Sequence, residues 1–152
     1  MNQSLADFFQ KKKQQAGDSV GIDWNDRRDK YLKAVDDLYH QIVAILDEPI
    51  RQNTASLERR SKELSENYIG TYKADDMILL IGNEQVRFSP RGRNIVGASG
   101  RVDVIGERGK PEVLIVQPDG RWGFVQTRQP TLQVVPFDES TLTEVLKRVM
   151  KE

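Results

Sequence analysis

The residues best suited to do chemistry lie between positions 87 and 110, where basic side chains alternate with glycines. Six basic residues stand there against Asp103 and Glu107, in a chain whose formal net charge is zero. A guanidinium can hold a phosphate or carboxylate through two parallel hydrogen bonds, and glycine lets backbone N–H groups approach an anion. The pattern therefore indicates an anion or nucleic-acid site, with these candidate residues: Arg87, Arg91, Arg93, Arg101, Arg108 and Lys110.

The same segment has a second interpretation, in which its arginines lie on the exposed face of hairpins. Their charges are then balanced by carboxylates of the sheet, with Asp75, Asp76 and Asp103 as the candidates. Hairpins containing Arg and Gly are common on protein surfaces, and the strict spacing of a phosphate loop is missing. We favour this second interpretation and keep the anion site as the alternative.

The sequence contains no complete set of catalytic residues. The chain has no Cys and only one His, His40, which excludes a thiolate nucleophile and a multi-histidine metal site. We expect His40 to be partly buried or at an interface, because it borders an apolar helix stripe. A nuclease-like pair of Asp103 and Glu112 lacks its lysine, since Leu114 stands at that position. We name no catalytic residue, metal or cofactor, and the sequence favours a protein without catalysis. An enzyme stays open only through a carboxylate- or Arg-based site that no motif marks.

The N-terminal residues 1–21 form an arm and a linker in this interpretation. Leu5, Phe8 and Phe9 stand at spacings i, i+3 and i+4, which places them on one side of a short helix. Turn-forming residues, including Gly17 and Gly21, follow it. A helix this short is marginal alone in water, so the arm either docks or moves freely. It packs on its own domain, on a second subunit, or on another protein.

The arm resembles the sliding-clamp-binding peptide of eukaryotic and archaeal replication proteins. Leu5, Phe8 and Phe9 occupy the apolar positions of that motif, lysines follow at 11–13, and Asn2 stands where the motif has Gln. The resemblance implies that the three apolar side chains enter a hydrophobic groove of a partner.

The body of the chain resembles small bacterial proteins that carry no assigned activity. The residues that carry this resemblance are Ile22-Asp23-Trp24, Ile69-Gly70-Thr71-Tyr72 and the run from Asn94 to Asp103. The resemblance implies a bacterial, cytoplasmic origin and contributes no site residue.

The strongest helical signal follows the arm. Apolar residues recur there at steps of 4, 3, 4 and 3, from Tyr31 to Ile45, and Asp23 is positioned to cap this helix. Pro49 predicts an end or a kink near Glu48. Beyond it, residues 50–68 keep only a thin apolar seam, which predicts a second, mostly solvated helix without an obvious internal partner.

From Gly70 onward the apolar period changes to that of strands. Five or six strand candidates are separated by short polar turns, one of them at Gly82 and Asn83, so the sheet should be mainly antiparallel. Asp138 then caps a C-terminal helix whose apolar face is expected to pack on the sheet. Trp24 and Trp122 are expected in the core. The fold class is α+β, with a single domain over residues 22–152.

Composition limits the function further. A chain of 152 residues with 38% hydrophobic residues and zero net charge is not a polybasic nucleic-acid binder, and no apolar run has the length of a membrane span. We therefore expect a cytoplasmic, non-catalytic accessory or protein-interaction domain that binds a protein partner or itself and does not enter a membrane. Binding of anions or nucleic acid is the alternative.

Overall fold

Four helices and seven strands make up the computed structural model, over the residues that it describes, 4–18, 24–92, 99–127 and 129–151. The helices are α1 (Leu5–Asp18), α2 (Trp24–Ile45), α3 (Asp47–Arg51) and α4 (Glu139–Val149). The strands are β1 (Ser56–Glu66), β2 (Gly70–Ile81), β3 (Glu84–Gly92), β4 (Gly100–Ile105), β5 (Glu112–Val116), β6 (Trp122–Thr127) and β7 (Gln133–Pro136). The predicted α+β class, the antiparallel sheet and the C-terminal helix are confirmed.

All seven strands belong to one sheet, in which spatial order equals chain order and every neighbouring pair is antiparallel. Such a meander follows from the short turns, because a parallel crossover needs about a dozen residues or more. The turn predicted at Gly82 and Asn83 joins β2 to β3, with Gly82 at a φ of 62° that a residue without a Cβ adopts easily.

The prediction of a second helix over residues 50–68 is wrong, and it accounts for the strand count of seven in place of five or six. Ser56–Glu66 forms β1, which pairs with β2 along its whole length. Leu57 and Leu64 stand seven residues apart and imitate a helical seam. Pairing with β2 overrides that local preference, and charged side chains suit an edge strand. The segment therefore has an internal partner.

The break between α2 and α3 lies slightly earlier than predicted. Helix α2 ends at Ile45, and α3 restarts at Asp47 with Pro49 in its first turn. Proline is tolerated there, because backbone N–H groups in a first turn have no partner within the helix.

One face of the sheet packs against α2 and α4. Helix α2 contributes these buried side chains: Tyr31, Val35, Leu38, Tyr39 and Ile42. From the sheet, the fully buried residues include Phe88, Val102 and Leu114, while α4 contributes Leu142, Val145 and Val149. Because side chains alternate along a strand, the intervening residues point to the opposite face.

The tyrosines of α2 also form hydrogen bonds to the strands. The Tyr31 hydroxyl donates to the Arg101 carbonyl oxygen at 2.6 Å and accepts from the Gly92 N–H at 3.1 Å, beside the irregularity between Pro90 and Gly92. The Tyr39 hydroxyl donates to the Asp75 carbonyl oxygen at 2.6 Å. These bonds attach the helix to the sheet backbone.

Burial determines the protonation of both phenols. It raises the pKa of Tyr31 and of Tyr39 above the ordinary value. Since the neutral form is favoured in the fold, this contribution to stability is complete below the ordinary phenol pKa of about 10 and is lost as the pH rises above it.

Helix α4 begins as predicted, with Asp138 as its N-cap. The Asp138 carboxylate accepts from the Thr141 N–H at 2.8 Å, and the Thr141 hydroxyl accepts from the Asp138 N–H at 2.9 Å. At its other end, the Val149 carbonyl accepts from the Arg108 N–H at 3.0 Å. Gly106 permits this approach, because a Cβ there would lie 2.1 Å from the Val149 oxygen.

We expect Tyr31→Phe and Tyr39→Phe each to lower the free energy of unfolding by about 1–3 kcal/mol, because each leaves buried backbone groups without a partner. Urea unfolding followed by circular dichroism measures this loss. Tyr68→Phe is the control, since the Tyr68 side chain is exposed and its substitution should change the free energy by less than about 0.5 kcal/mol. Equal effects at all three positions would contradict the role of the buried hydroxyls.

Candidate functional site

The face of the sheet opposite α2 carries a group of charged and polar side chains on four neighbouring strands. The cross-strand partners Ser89 and Asp103 are both buried there. We call the group the polar cluster, and its members are Lys62, Asp76, Arg87, Ser89, Arg91, Arg101 and Asp103.

Asp76 organises the half of the polar cluster nearer to β1. Its carboxylate lies 2.8 Å from the Lys62 ammonium nitrogen and accepts from the Ser89 hydroxyl at 3.0 Å. Lys62 also donates to the Ser89 oxygen at 2.6 Å, and Arg87 Nε lies 3.9 Å from Asp76. Lys62, Asp76 and Ser89 are thus joined to one another by hydrogen bonds, as in a structural polar group of a sheet.

Asp103 organises the other half. Its side chain is only 7% exposed and receives two hydrogen bonds from Arg101, from Nε at 2.6 Å and from Nη2 at 3.2 Å. Arg91 Nε donates to the same carboxylate at 3.2 Å. This is the pairing with sheet carboxylates that the second interpretation of the segment predicts. The Asp75 carboxylate lies 3.7 Å from Arg59 of β1.

The six predicted anion-site residues divide into three groups. Three of them, Arg87, Arg91 and Arg101, come together in the polar cluster. Arg108 and Lys110 are exposed in the turn between β4 and β5, beside the end of α4. Arg93 lies outside the described residues, so its predicted role stays a prediction.

Sequence reasoning missed Lys62 and Ser89. Lys62 belongs to the segment that was predicted to be helical, and in a helix it would not face β2 or β3. Once Ser56–Glu66 is read as a strand, the alternation of side chains places Lys62 on the face that also carries Asp76. The missing signal was therefore the strand pairing of β1.

The charges of the polar cluster are not fully balanced. Four cationic side chains face two carboxylates, Asp76 and Asp103, which leaves a formal charge of +2. The side chains of Arg87 and Arg91 are 44% and 52% exposed. The cluster can therefore present the guanidinium groups of Arg87 and Arg91 to an anion. Its carboxylates, Asp76 and Asp103, are already paired with Lys62 and Arg101.

The nuclease-like arrangement is not assembled. Asp103 stands opposite Val113, whereas Glu112 stands opposite Val104, so the two carboxylates point to different faces of the sheet. Glu112 instead accepts from Arg148 Nε at 2.5 Å. Within the described ranges, no group of three or more His, Asp or Glu residues is placed to hold a metal ion.

The prediction that His40 is partly buried is wrong, while its alternative, a place at an interface, stays a prediction. Its side chain is exposed, with Nδ1 3.4 Å from the Asp36 carboxylate, because the position lies on the solvent side of α2. Trp122 is buried as predicted and donates to the Ala34 carbonyl at 2.9 Å. Trp24 is only half-buried and stacks on exposed Tyr68 at 5.2 Å between ring centroids.

The N-terminal arm forms α1, which continues to Asp18 and so includes residues that were predicted to turn. Its three apolar side chains are exposed on one side of the helix, with Leu5 68%, Phe8 45% and Phe9 60% accessible to solvent. The rings of Phe8 and Phe9 lie 6.0 Å apart. We call these three residues the apolar stripe of α1.

Comparison with protein-family models, with curated proteins and with solved structures gives no significant match. Among the described residues, the helices are each too short or too polar to cross a membrane. Two surfaces remain as candidates for function, the apolar stripe of α1 and the polar cluster. The case for each depends on its geometry.

We expect Asp103→Asn to lower the free energy of unfolding by about 2–3 kcal/mol, because it removes the negative charge shared by Arg91 and Arg101 at a buried position. Chemical denaturation measures the loss. Asp119→Asn is the matched control, since Asp119 and Arg121 form an exposed pair at 3.6 Å, which should contribute less than about 1 kcal/mol. Two equally small losses would show that the buried pairing contributes little to stability.

Proposed function

We propose that this protein is a non-catalytic, cytoplasmic interaction domain, which docks onto a partner protein through the apolar stripe of α1. The observation that carries the proposal is the exposure of Leu5, Phe8 and Phe9 on one side of a single helix. Scattered apolar residues on a surface are ordinary, whereas large ones grouped on one side are typical of an interaction site.

The size of the stripe suits a reversible complex. Burying a large apolar side chain contributes about 1.5–3 kcal/mol, so three of them contribute about 4.5–9 kcal/mol before the cost of association is subtracted. An amphipathic helix that lies in a hydrophobic groove uses anchors at this spacing. The lysines at 11–13 follow the stripe directly and favour an acidic border of that groove.

The polar cluster supports a binding role more than a catalytic one. Ser89 is buried and donates a hydrogen bond to Asp76, while Lys62 forms an ion pair with that carboxylate. Asp103 is held by two arginines. Each group that resembles a nucleophile, base or acid is therefore already used in a hydrogen bond or an ion pair of the sheet.

The combined variant Leu5→Ser, Phe8→Ser, Phe9→Ser should lose at least tenfold in partner binding, because it removes the proposed anchors. The experiment compares proteins captured from a native extract by tagged full-length chains. Val43→Ser on α2 is the control, since Val43 is also an exposed apolar residue, 44% accessible. A partner retained by both variants, or no partner on any chain, would contradict the proposal. Unchanged circular dichroism confirms that the triple variant folds.

A second candidate function is the binding of anions or nucleic acid to the polar cluster. The excess of cations and the half-exposed side chains of Arg87 and Arg91 favour it. Arginine suits this role because its planar fork donates two hydrogen bonds to one phosphate. The carboxylates below them limit the affinity, since Asp103 already accepts a hydrogen bond from Arg91 and Asp76 lies 3.9 Å from Arg87 Nε.

If the polar cluster binds phosphates, a mixed-sequence single-stranded oligonucleotide should bind at low salt, and its affinity should fall steeply as salt is added. Arg87→Ala with Arg91→Ala should lower that affinity about tenfold or more, measured by fluorescence anisotropy. Arg121→Ala, at an exposed turn away from the cluster, should leave it unchanged. Absence of binding, or equal binding by all three proteins, would remove this candidate.

A further inference from the structure

A pocket lies between α2 and the turn that joins β5 to β6. Its volume is about 510 Å³, which is within the usual size of small-molecule sites. Helix α2 provides one wall, and residues 117–120 of the turn belong to the other. We call it the α2 pocket. Since α2 covers the face of the sheet opposite the polar cluster, the two sites do not overlap.

Three cationic side chains of α2 line the pocket on successive turns of the helix. They are Arg27, Lys30 and Lys33, each three residues from the next. Lys30 lies 2.9 Å from the Asp26 carboxylate. Arg27 and Lys33 form no ion pair with any described residue. Like charges that neighbour each other on a helix destabilise it, and an anion bound beside these three side chains would relieve their repulsion.

Arg27 is held in place by a ring and not by a carboxylate. Its guanidinium carbon lies 5.2 Å from the centroid of the Trp24 ring, and Trp24 stacks in turn on Tyr68. A cation–π contact positions an arginine without using an acidic partner. In the polar cluster, by contrast, Arg101 donates to Asp103. Arg27 can therefore donate to a bound anion without giving up an ion pair.

The rest of the lining suits the organic part of a ligand. Its apolar members come from α2, from the end of β5 and from the turn: Tyr31, Ala34, Val116 and Pro118. Asp37 also lines the pocket, is exposed, and forms no ion pair with the described residues. It stands ten residues after Arg27, about 15 Å along the helix axis. The helix wall therefore places cations at its start and a carboxylate at its end.

Asp119 is the other carboxylate of the lining, and it is already engaged within the turn. It accepts from the Arg121 N–H at 3.0 Å, and it lies 3.6 Å from Arg121 Nε. Its charge is therefore partly balanced from outside the pocket. The lining keeps two unpaired cations, Arg27 and Lys33, against one unpaired carboxylate, Asp37.

We propose that the α2 pocket binds a nucleoside triphosphate, with its phosphates along Arg27, Lys30 and Lys33 and its base on the apolar lining. A row of cations on successive helix turns suits a chain of phosphates, because each phosphate accepts charge-assisted hydrogen bonds. Asp37 is then an acceptor for a donor group of the base. This site is separate from the docking of α1 and goes beyond it.

Isothermal titration calorimetry of the full chain with ATP and with UTP tests the proposal, and at least one of them should bind. Arg27→Ala with Lys33→Ala should weaken that binding about tenfold or more, because two phosphate contacts are lost. Arg28→Ala is the matched control, since Arg28 lies on the same helix outside the α2 pocket and 3.1 Å from Asp29. It should bind like wild type.

Inorganic tripolyphosphate separates the two parts of the ligand. It should bind about tenfold or more weakly than the tighter nucleotide, because it lacks the base that covers the apolar lining. Equal affinities would show that the site holds phosphate alone, and the inference would be wrong. Failure of both nucleotides to bind, or wild-type affinity in the double variant, would overturn it as well. Lys33→Ala alone changes only an exposed side chain and should also weaken binding, which covers the case of a misfolded double variant.

The polar cluster provides the competing explanation for any nucleotide binding. Arg87→Ala with Arg91→Ala should leave the affinity for ATP and UTP unchanged. If this variant loses the nucleotide while the α2 variant keeps it, the polar cluster is the site and the inference is wrong. Capture of a partner protein through α1 is measured separately, so its failure and the failure of nucleotide binding are distinguishable.

Discussion

The hydroxyls of Tyr31 and Tyr39 occupy hydrogen-bonding positions on the sheet backbone, and the arrangement of the other elements depends on them. Tyr39 binds the Asp75 carbonyl just beyond the regular pairing of β2 with β3, and Tyr31 binds beside the irregularity of β3. Buried backbone groups need hydrogen-bond partners. The two hydroxyls supply partners where the strands do not pair regularly, and these bonds in turn fix the position of α2 on the sheet. Gly100 is part of this constraint, because a Cβ there would lie 2.3 Å from the Tyr31 ring.

The polar cluster lies on the other face of the same strands and connects them by charge. Lys62 of β1, Asp76 of β2, Ser89 of β3 and Asp103 of β4 follow one another across the sheet. A shift of one residue in any pairing would turn these side chains toward α2 and the apolar core. The cluster therefore favours one register, while its half-exposed arginines are the part of it that can meet an anion.

The candidate interaction surface of the arm lies on α1, whose described side chains are all exposed and include the apolar stripe. Helix α4, by contrast, packs its apolar face into the core. Helix α4 is held firmly, through the Asp138 capping box at its start and the Arg108 contact to Val149 at its end. The described part of the chain therefore contrasts an exposed helix, α1, with a firmly attached one, α4.

The sequence by itself determined the elements whose signals are local. The 3.6-residue period of α2, the cap at Asp138, the turn at Gly82 and the alternation after Gly70 each act within a few residues, and all are found in the structure. The pairing of Arg91 and Arg101 with Asp103 could also be predicted. Arg101 lies two residues from Asp103 on β4, and Arg91 lies on the adjacent strand β3. Only the tertiary structure decided that residues 56–66 form β1, that Lys62 reaches Ser89, and that Asp103 and Glu112 point to opposite faces. Strand pairing joins residues that are distant in the chain, and an edge strand with charged side chains has no local period strong enough to indicate its partner.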